Sequence, residues 1–300
     1  MSRVEAILAA GNGAGNGAGN GAGVGAGLAG GAAFPFMGPF TDDRLPKDQK
    51  PFLLMNGGAF PEAEWSPDLT ALSLLPSVMC ALDLDAMGML SQKEEQDLRK
   101  ELPQEIKDIL DLRADPGRRS REGEIVNQSQ SFAHYFLGML NASARYRSNT
   151  ATLVFVCLQL GSIVGMHFKS VYQRPRPAQI FPGLFPVIPT PAHPSFPSNH
   201  ATQSYLIAEM ISSVAPEGAK EPLTRYVNAL ALRIAENREL AGVHFRSDSE
   251  AGERLAKAIA DQVIKSGTLG KLLESCAVEL CDFQDTCVEV DNQLIVAGRG

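Results

Sequence analysis

Between Arg174 and Ser198 the chain reads RPRPAQIFPGLFPVIPTPAHPSFPS, with eight prolines. Proline offers no N–H to a helix or a sheet ladder, and its ring fixes φ. The stretch is therefore expected to be a long loop that excludes helix and central strand alike. Loops of this length inside a compact domain are functional or disordered. What lies on either side decides the fold class. Upstream, SQKEEQDLRKEL opens with a capping-box pattern, Ser91 with Glu94, and LPQEIKDILDLR continues at helical spacing. ADPGRRSREGE is read as a breaker, followed by helical stretches at roughly 124–146 and 150–173. Downstream, helices are expected at 199–214 and near 221–240. Another begins at SDSEAGERLAKAIADQVIK, with Ser247 and Glu250 as a second capping box. CVEVDNQLIV alternates around Asp-Asn and suggests a short hairpin. No βαβ alternation appears. The expectation is an all-α bundle.

The chain divides into four parts. Residues 1–33 are largely Gly, Ala and Asn with repeating GNGA, have little to bury, and are expected to form a disordered, flexible tail. Residues 34–66, rich in Pro, Gly and Phe, suggest an irregular arm. Residues 67–266 form the expected helical catalytic domain, and 267–300 a C-terminal extension. A net charge of -7 argues against a nucleic-acid partner. The first apolar run is too short for a secretory signal. The uncharged apolar run Thr152–Phe168 contains Gln159, Ser162 and two glycines, and reads as a core helix, not a transmembrane span. Cys80 and Cys157 stand alone while Cys276, Cys281 and Cys287 crowd the tail, which is neither a disulfide framework nor a CxxC pattern. Reduced thiols and a cytoplasmic address are expected. Homo-oligomerisation stays open.

Chemistry gathers around the proline-rich loop in three blocks. Lys169, Arg174 and Arg176 stand at its start, with Lys169 and Arg176 two helical turns apart if the helix persists that far. Pro197, Ser198, Asn199 and His200 stand at its end, where a helix N-terminus offers free N–H groups to an anion. Arg238, His244 and Asp248 follow, a cation, a nucleophile and a carboxylate to orient it. Each block alone has an ordinary explanation: a solvated basic helix end, a plain N-cap, a turn histidine before an N-terminal acid. Together they hold the parts of one site for a tetrahedral oxyanion. No Asp, Glu or His cluster has metal-ligand spacing.

The three blocks resemble the signature of the type 2 phosphatidic acid phosphatase (PAP2) superfamily, which includes bacterial acid phosphatases, lipid phosphatases and vanadium-dependent haloperoxidases. That signature runs K-x6-R-P, P-S-G-H and S-R-x5-H-x3-D. Lys169, Arg176 and Pro177 match the first block, Pro197, Ser198 and His200 the second, and Arg238, His244 and Asp248 the third. Asn199 replaces the glycine and Asn237 the serine; Asn tolerates left-handed backbone better than other non-glycine residues. The resemblance implies a PAP2/haloperoxidase-like helical bundle and a phosphomonoesterase with no cofactor. In it His244 forms a phosphohistidine, Asp248 fixes its tautomer, and His200 serves as general acid and base. Lys169, Arg176, Arg238, Ser198 and the Asn199 amide would hold the phosphoryl oxygens. The implied partner is a small phosphate ester. An alternative is a vanadium haloperoxidase with vanadate on His244, favoured by His193 in HPSFPSNHAT as a supporting residue. A third reading is a non-catalytic phosphate-binding bundle.

Overall fold

The computed structural model describes residues 64–87, 90, 92–114, 116–281 and 283. The Gly-rich tail, nearly all of the arm, Ser91, Cys287 and the expected hairpin lie outside the described residues. Ten helices are described: α1 (Pro67–Cys80), α2 (Gln92–Ala114), α3 (Pro116–Gln130), α4 (Ala133–Met139), α5 (Ser148–Tyr172), α6 (Pro177–Ile180), α7 (Asn199–Val214), α8 (Lys220–Leu240), α9 (Arg246–Ser266) and α10 (Gly270–Leu280). No strand occurs among the described residues. The fold is all-α.

Helix α7 is the hub, packed against α5, α8 and α9. It is buried nearly all round, including polar Asn199, Thr202, Gln203 and Ser204, as a helix enclosed by neighbours must be. Helix α5 lies beside it and also meets α1, α4 and α10. The stretch Ser148–Ile180, which holds α5, is the one candidate among the described residues long and apolar enough to cross a membrane, and 78% of its apolar window is buried inside the protein. Leu269, Cys276 and Leu280, from the stretch assigned to a C-terminal extension, sit in the same core. The thiols of Cys80, Cys157, Cys276 and Cys281 are free.

The helix boundaries differ from the periodicity in three places. ADPGRRSREGE breaks the helix only at its start: α2 ends at Ala114, and the rest is helical because Pro116 is the first residue of α3, a position where its missing N–H costs nothing. The stretch 124–146 is not one helix. It is interrupted between α3 and α4, placing Phe132 and Phe136 in the core, and ends in a turn where Asn141 takes a left-handed φ of 47°. There the Ser143 hydroxyl accepts the Tyr146 N–H at 3.1 Å, the local side-chain competition that ends helices. The proline-rich loop also contains helix after all: α6 and the 3-10 turn Pro182–Leu184 each begin on a proline.

Two small clusters pin that loop down. Ile188 packs with Ile125, Leu240, Ala241 and Val243. Leu184 packs with Ile109 and Phe245. Backbone bonds add to them, Val187 N–H to Ala241 O at 3.0 Å and Ser195 N–H to Arg174 O at 2.9 Å. The loop is thereby stapled to α2, α3 and the turn between α8 and α9.

Candidate active site

Helix α5 ends at Tyr172, and Gln173 takes a left-handed φ of 46° as its cap. The helix therefore does not carry Arg176 onto the face of Lys169. The two cations part. Lys169 is buried in the last turn of α5 and donates to the carbonyls of Pro194 (2.8 Å), Ser195 (2.7 Å) and Pro197 (2.5 Å). Burial, then the neighbouring Arg176, drives its pKa well below that of an ordinary lysine. Lys169 clamps the loop and does not line the cavity. Arg176, in the extended segment beyond, reaches the other side. Its Nη1 donates to Val243 O at 2.8 Å and lies 2.9 Å from His244 Nε2, and its Nη2 lies 3.1 Å from His193 Nδ1.

The turn between α8 and α9 places His244, and Asp248 lies in the first turn of α9. Asp248 Oδ2 accepts the Phe245 N–H at 3.0 Å and faces His244 Nδ1 at 3.1 Å. Asp248 is thus the side chain that caps α9. Ser247 and Glu250 do not form the expected capping box, because the helix begins at Arg246 and the Ser247 hydroxyl donates to Glu105 instead. Burial would raise the Asp248 pKa, but its His244 hydrogen bond and the Arg174 charge hold it well below the usual carboxylate range. Burial first, then Arg176, keeps His244 neutral far below its ordinary pKa. This hydrogen-bond network assigns the proton to Nδ1 and leaves the Nε2 lone pair facing the Arg176 guanidinium.

Ser198 is the N-cap of α7. Its Oγ accepts the Ala201 N–H at 3.4 Å and its own N–H donates to Asp248 O at 2.9 Å. It supports the site from behind and is absent from the cavity wall. Asn199, by contrast, lines the cavity as the first residue of α7, with its φ in the ordinary negative range. Left-handed tolerance is therefore irrelevant at that position. Its buried Oδ1 and Nδ2 have no hydrogen-bond partner. The N–H groups of Asn199 and His200 fall among the first-turn donors that a helix leaves without an intrahelical acceptor. His200 Nε2 lies 3.1 Å from Gln128 O, and burial followed by the Arg238 charge pushes its pKa down to about 3.

Arg238 closes the far wall from α8. Its Nη2 donates to Ile125 O at 2.9 Å, while its buried Nε and Nη1 have no partner. Asn237 does not bond locally; its amide donates to Glu124 and to Gln128, both at 2.9 Å, tying α8 to α3. The resulting cavity of about 360 Å³ is lined by Arg176, His193, Asn199, His200, Arg238 and His244 among others. No Asp or Glu lines it. A larger cavity of about 660 Å³ lies elsewhere, and Glu105, Asp108, Asp111, Glu236 and Glu239 line it. An anion is repelled by the second and drawn to the first. Among the described residues no group of three or more His, Cys, Asp or Glu is placed to hold a metal ion.

The PAP2 superfamily profile matches residues 150–261, which span Lys169 to Asp248. The chain carries a PAP2 superfamily domain. A search of curated proteins finds no significant match. One similar solved structure is the first transmembrane PAP2-type phosphatidylglycerolphosphate phosphatase from Bacillus subtilis, at 15% identity, covering 65% of this chain and 94% of that one, with a TM-score of 0.45. Of the signature positions in the PAP2 domain, Arg176, Asn199, His200, Arg238 and His244 share the cavity wall, and His193 joins them. Asp248 stands behind His244, while Lys169 and Ser198 hold the backbone that shapes the wall. Sequence reasoning missed Glu105, Glu124 and Gln128, which lie outside the PAP2 domain, and gave Arg174 no partner. Only its position two residues before Arg176 hinted at a role.

Proposed function

We propose that the chain is a phosphatase acting on phosphate monoesters, with His244 as phosphoryl acceptor. One arrangement supports this reading. The Asp248–His244 pair turns a neutral Nε2 toward a cavity whose formally charged lining residues, Arg176 and Arg238, are both cationic. A phosphoryl group entering the cavity meets the unpartnered Nε and Nη1 of Arg238 and the first-turn N–H groups of α7. Arg176 Nη1 transfers its hydrogen bond from His244 to a phosphoryl oxygen, which frees the Nε2 lone pair. The Nε2–P bond then forms as the ester P–O bond breaks, and the leaving oxygen takes a proton from His200. Water, losing its proton to His200, cleaves the phosphohistidine. His200 is a neutral imidazole at neutral pH in the empty site, but a phosphate dianion offsets Arg238 and raises its proton affinity.

The same donors suit vanadate, since Arg238 keeps two buried donor nitrogens without an acceptor. Halide oxidation is the second reading, and His193 in the cavity wall beside Arg176 favours it. The test pairs rapid-quench hydrolysis of nitrophenyl phosphate with bromide oxidation after vanadate loading. The expected result is phosphate release with a trappable phosphoenzyme in the wild type and none in His244→Ala, with vanadate as a competitive inhibitor. Phosphoenzyme in His244→Ala would place the nucleophile elsewhere. Bromide oxidation without ester hydrolysis would select the second reading.

A further inference from the structure

The hydrogen-bond chain that begins at His244 does not stop at Asp248. Asp248 Oδ2 is occupied by His244 Nδ1 and the Phe245 N–H. Its Oδ1 receives Arg174 Nη1 at 2.7 Å. The same Nη1 donates to Ser247 Oγ at 2.7 Å, and Nη2 pairs with Glu105 Oε2. Glu105 Oε1 in turn accepts the Ser247 hydroxyl at 2.5 Å and the Ser247 N–H at 3.3 Å. The Arg174 guanidinium lies over the Phe245 ring, 4.3 Å from its centroid. Arg174 and Glu105 side chains are only 12% and 11% exposed, so this is not a solvated surface pair.

A carboxylate with both oxygens bonded on different sides cannot rotate, and the histidine it orients inherits that rigidity. Arg174 supplies the second side. An arginine presents its donors to two acceptors from a rigid planar fork, whereas a lysine ammonium is a compact charge on a flexible stem. Its own orientation comes from Glu105, on α2, outside residues 150–261. We propose that Arg174 and Glu105 are positioning residues for phosphoryl transfer. Arg174 locks the Asp248 carboxylate, and Glu105 locks Arg174, so α2 completes a site whose reacting groups all lie in the PAP2 domain. The inference rests on the phosphatase reading above.

The test is steady-state and rapid-quench kinetics of the full chain with nitrophenyl phosphate, for Arg174→Ala, Arg174→Lys, Glu105→Ala and Glu105→Gln. Lys220→Ala, an exposed change away from the site, is the control. In Arg174→Ala, kcat and the rate of phosphoenzyme formation fall about 10²-fold, the scale of a reacting group displaced by an ångström. KM and the inhibition constant for inorganic phosphate shift less than about threefold, because Arg176 and Arg238 are untouched. Arg174→Lys recovers part of the loss by restoring the charge. Both Glu105 variants show a smaller, kcat-selective loss, with Gln milder than Ala since its carbonyl still accepts from Ser247. Wild-type kcat in Arg174→Ala or in both Glu105 variants overturns the proposal. Parallel loss of kcat, phosphate affinity and melting temperature also overturns it, because that pattern reports a collapsed site. A wild type inactive on every phosphate ester sinks the phosphatase reading and this inference together, whereas a silent Arg174→Ala in an active enzyme sinks this inference alone.

Discussion

Arg238 Nε and Nη1 are buried donors with no acceptor, whereas Lys169 donates to three backbone carbonyls. The first arrangement waits for a ligand; the second is already satisfied. A buried polar group left without a partner costs about 1–3 kcal/mol. Removing each cation therefore moves stability in opposite directions. Arg238→Ala relieves a buried, half-bonded guanidinium, so its melting temperature holds or rises while kcat/KM falls about 10²-fold or more. Lys169→Ala strands carbonyls of Pro194, Ser195 and Pro197 and frees the loop, so its melting temperature falls along with activity. Thermal melts and phosphate titrations of both variants separate the roles. A Lys169→Ala that keeps its melting temperature but loses phosphate affinity would return Lys169 to the group of direct ligands.

Helix α7 brings Asn199 and His200 into the wall only because two other helices let it come close. At Gly252 of α9, a Cβ would stand 2.7 Å from Ser198 O and 2.9 Å from Thr202 N. These are backbone atoms, so Gly252→Ala must push the α7 N-terminus away from the site. At Gly165 of α5, a Cβ would stand 2.3 Å from Asn199 Oδ1. Here the obstacle is a side chain that can be removed. Gly165→Ala should destabilise by about 1–3 kcal/mol through overpacking. Adding Asn199→Gly should recover much of that loss, because the three nearest atoms to the new Cβ all belong to the Asn199 side chain. Denaturant melts of the two single variants and the double variant measure the coupling, and simple additivity would show that the backbone is the obstacle. Asn199 thus departs from the signature glycine in having a side chain that presses against Gly165.

For the molecule as a whole, three neutral histidines in one cationic cavity set the response to acid. His193 and His200 are pushed down to about 3, by burial first and then by Lys169 and Arg176 for the one and by Arg238 for the other. His244 is lowered well below its ordinary value in the same sense. In the unfolded chain each titrates near an ordinary pKa of about 6.5. Between those values the unfolded state binds more protons, so their contribution to stability is fully present above about pH 6.5 and drains away as pH falls toward 3. Glu239, raised to about 7 by burial, acts the opposite way, but one carboxylate opposes three imidazoles. The melting temperature is expected to fall steadily from about pH 7 to about pH 4. Inorganic phosphate should blunt that fall by offsetting the cations that depress the histidines. A melting temperature independent of pH in that range, or one that phosphate does not lift, would contradict the cavity electrostatics described above.

Helical spacing is local, so the all-α class was legible from the chain alone, as was the proline-rich loop that divides it. The three blocks were legible for the same reason, since their offsets within a turn or a helix end bring Arg238, His244 and Asp248 near one another. Even the N-cap at Ser198 followed from residue types. The partners of those residues were not. Glu105 lies 69 positions from Arg174, and Gln128 lies 72 from His200. Such pairs meet only when α2 and α3 dock, and no periodicity encodes that docking. Whether a cation becomes a ligand or a support was equally hidden. Lys169 and Arg238 belong to different blocks of one signature, and which of them faced the cavity depended on where α5 stopped and where the loop placed its carbonyls. Hydrogen-bond satisfaction is a property of the packed interior, and only the tertiary structure could decide it.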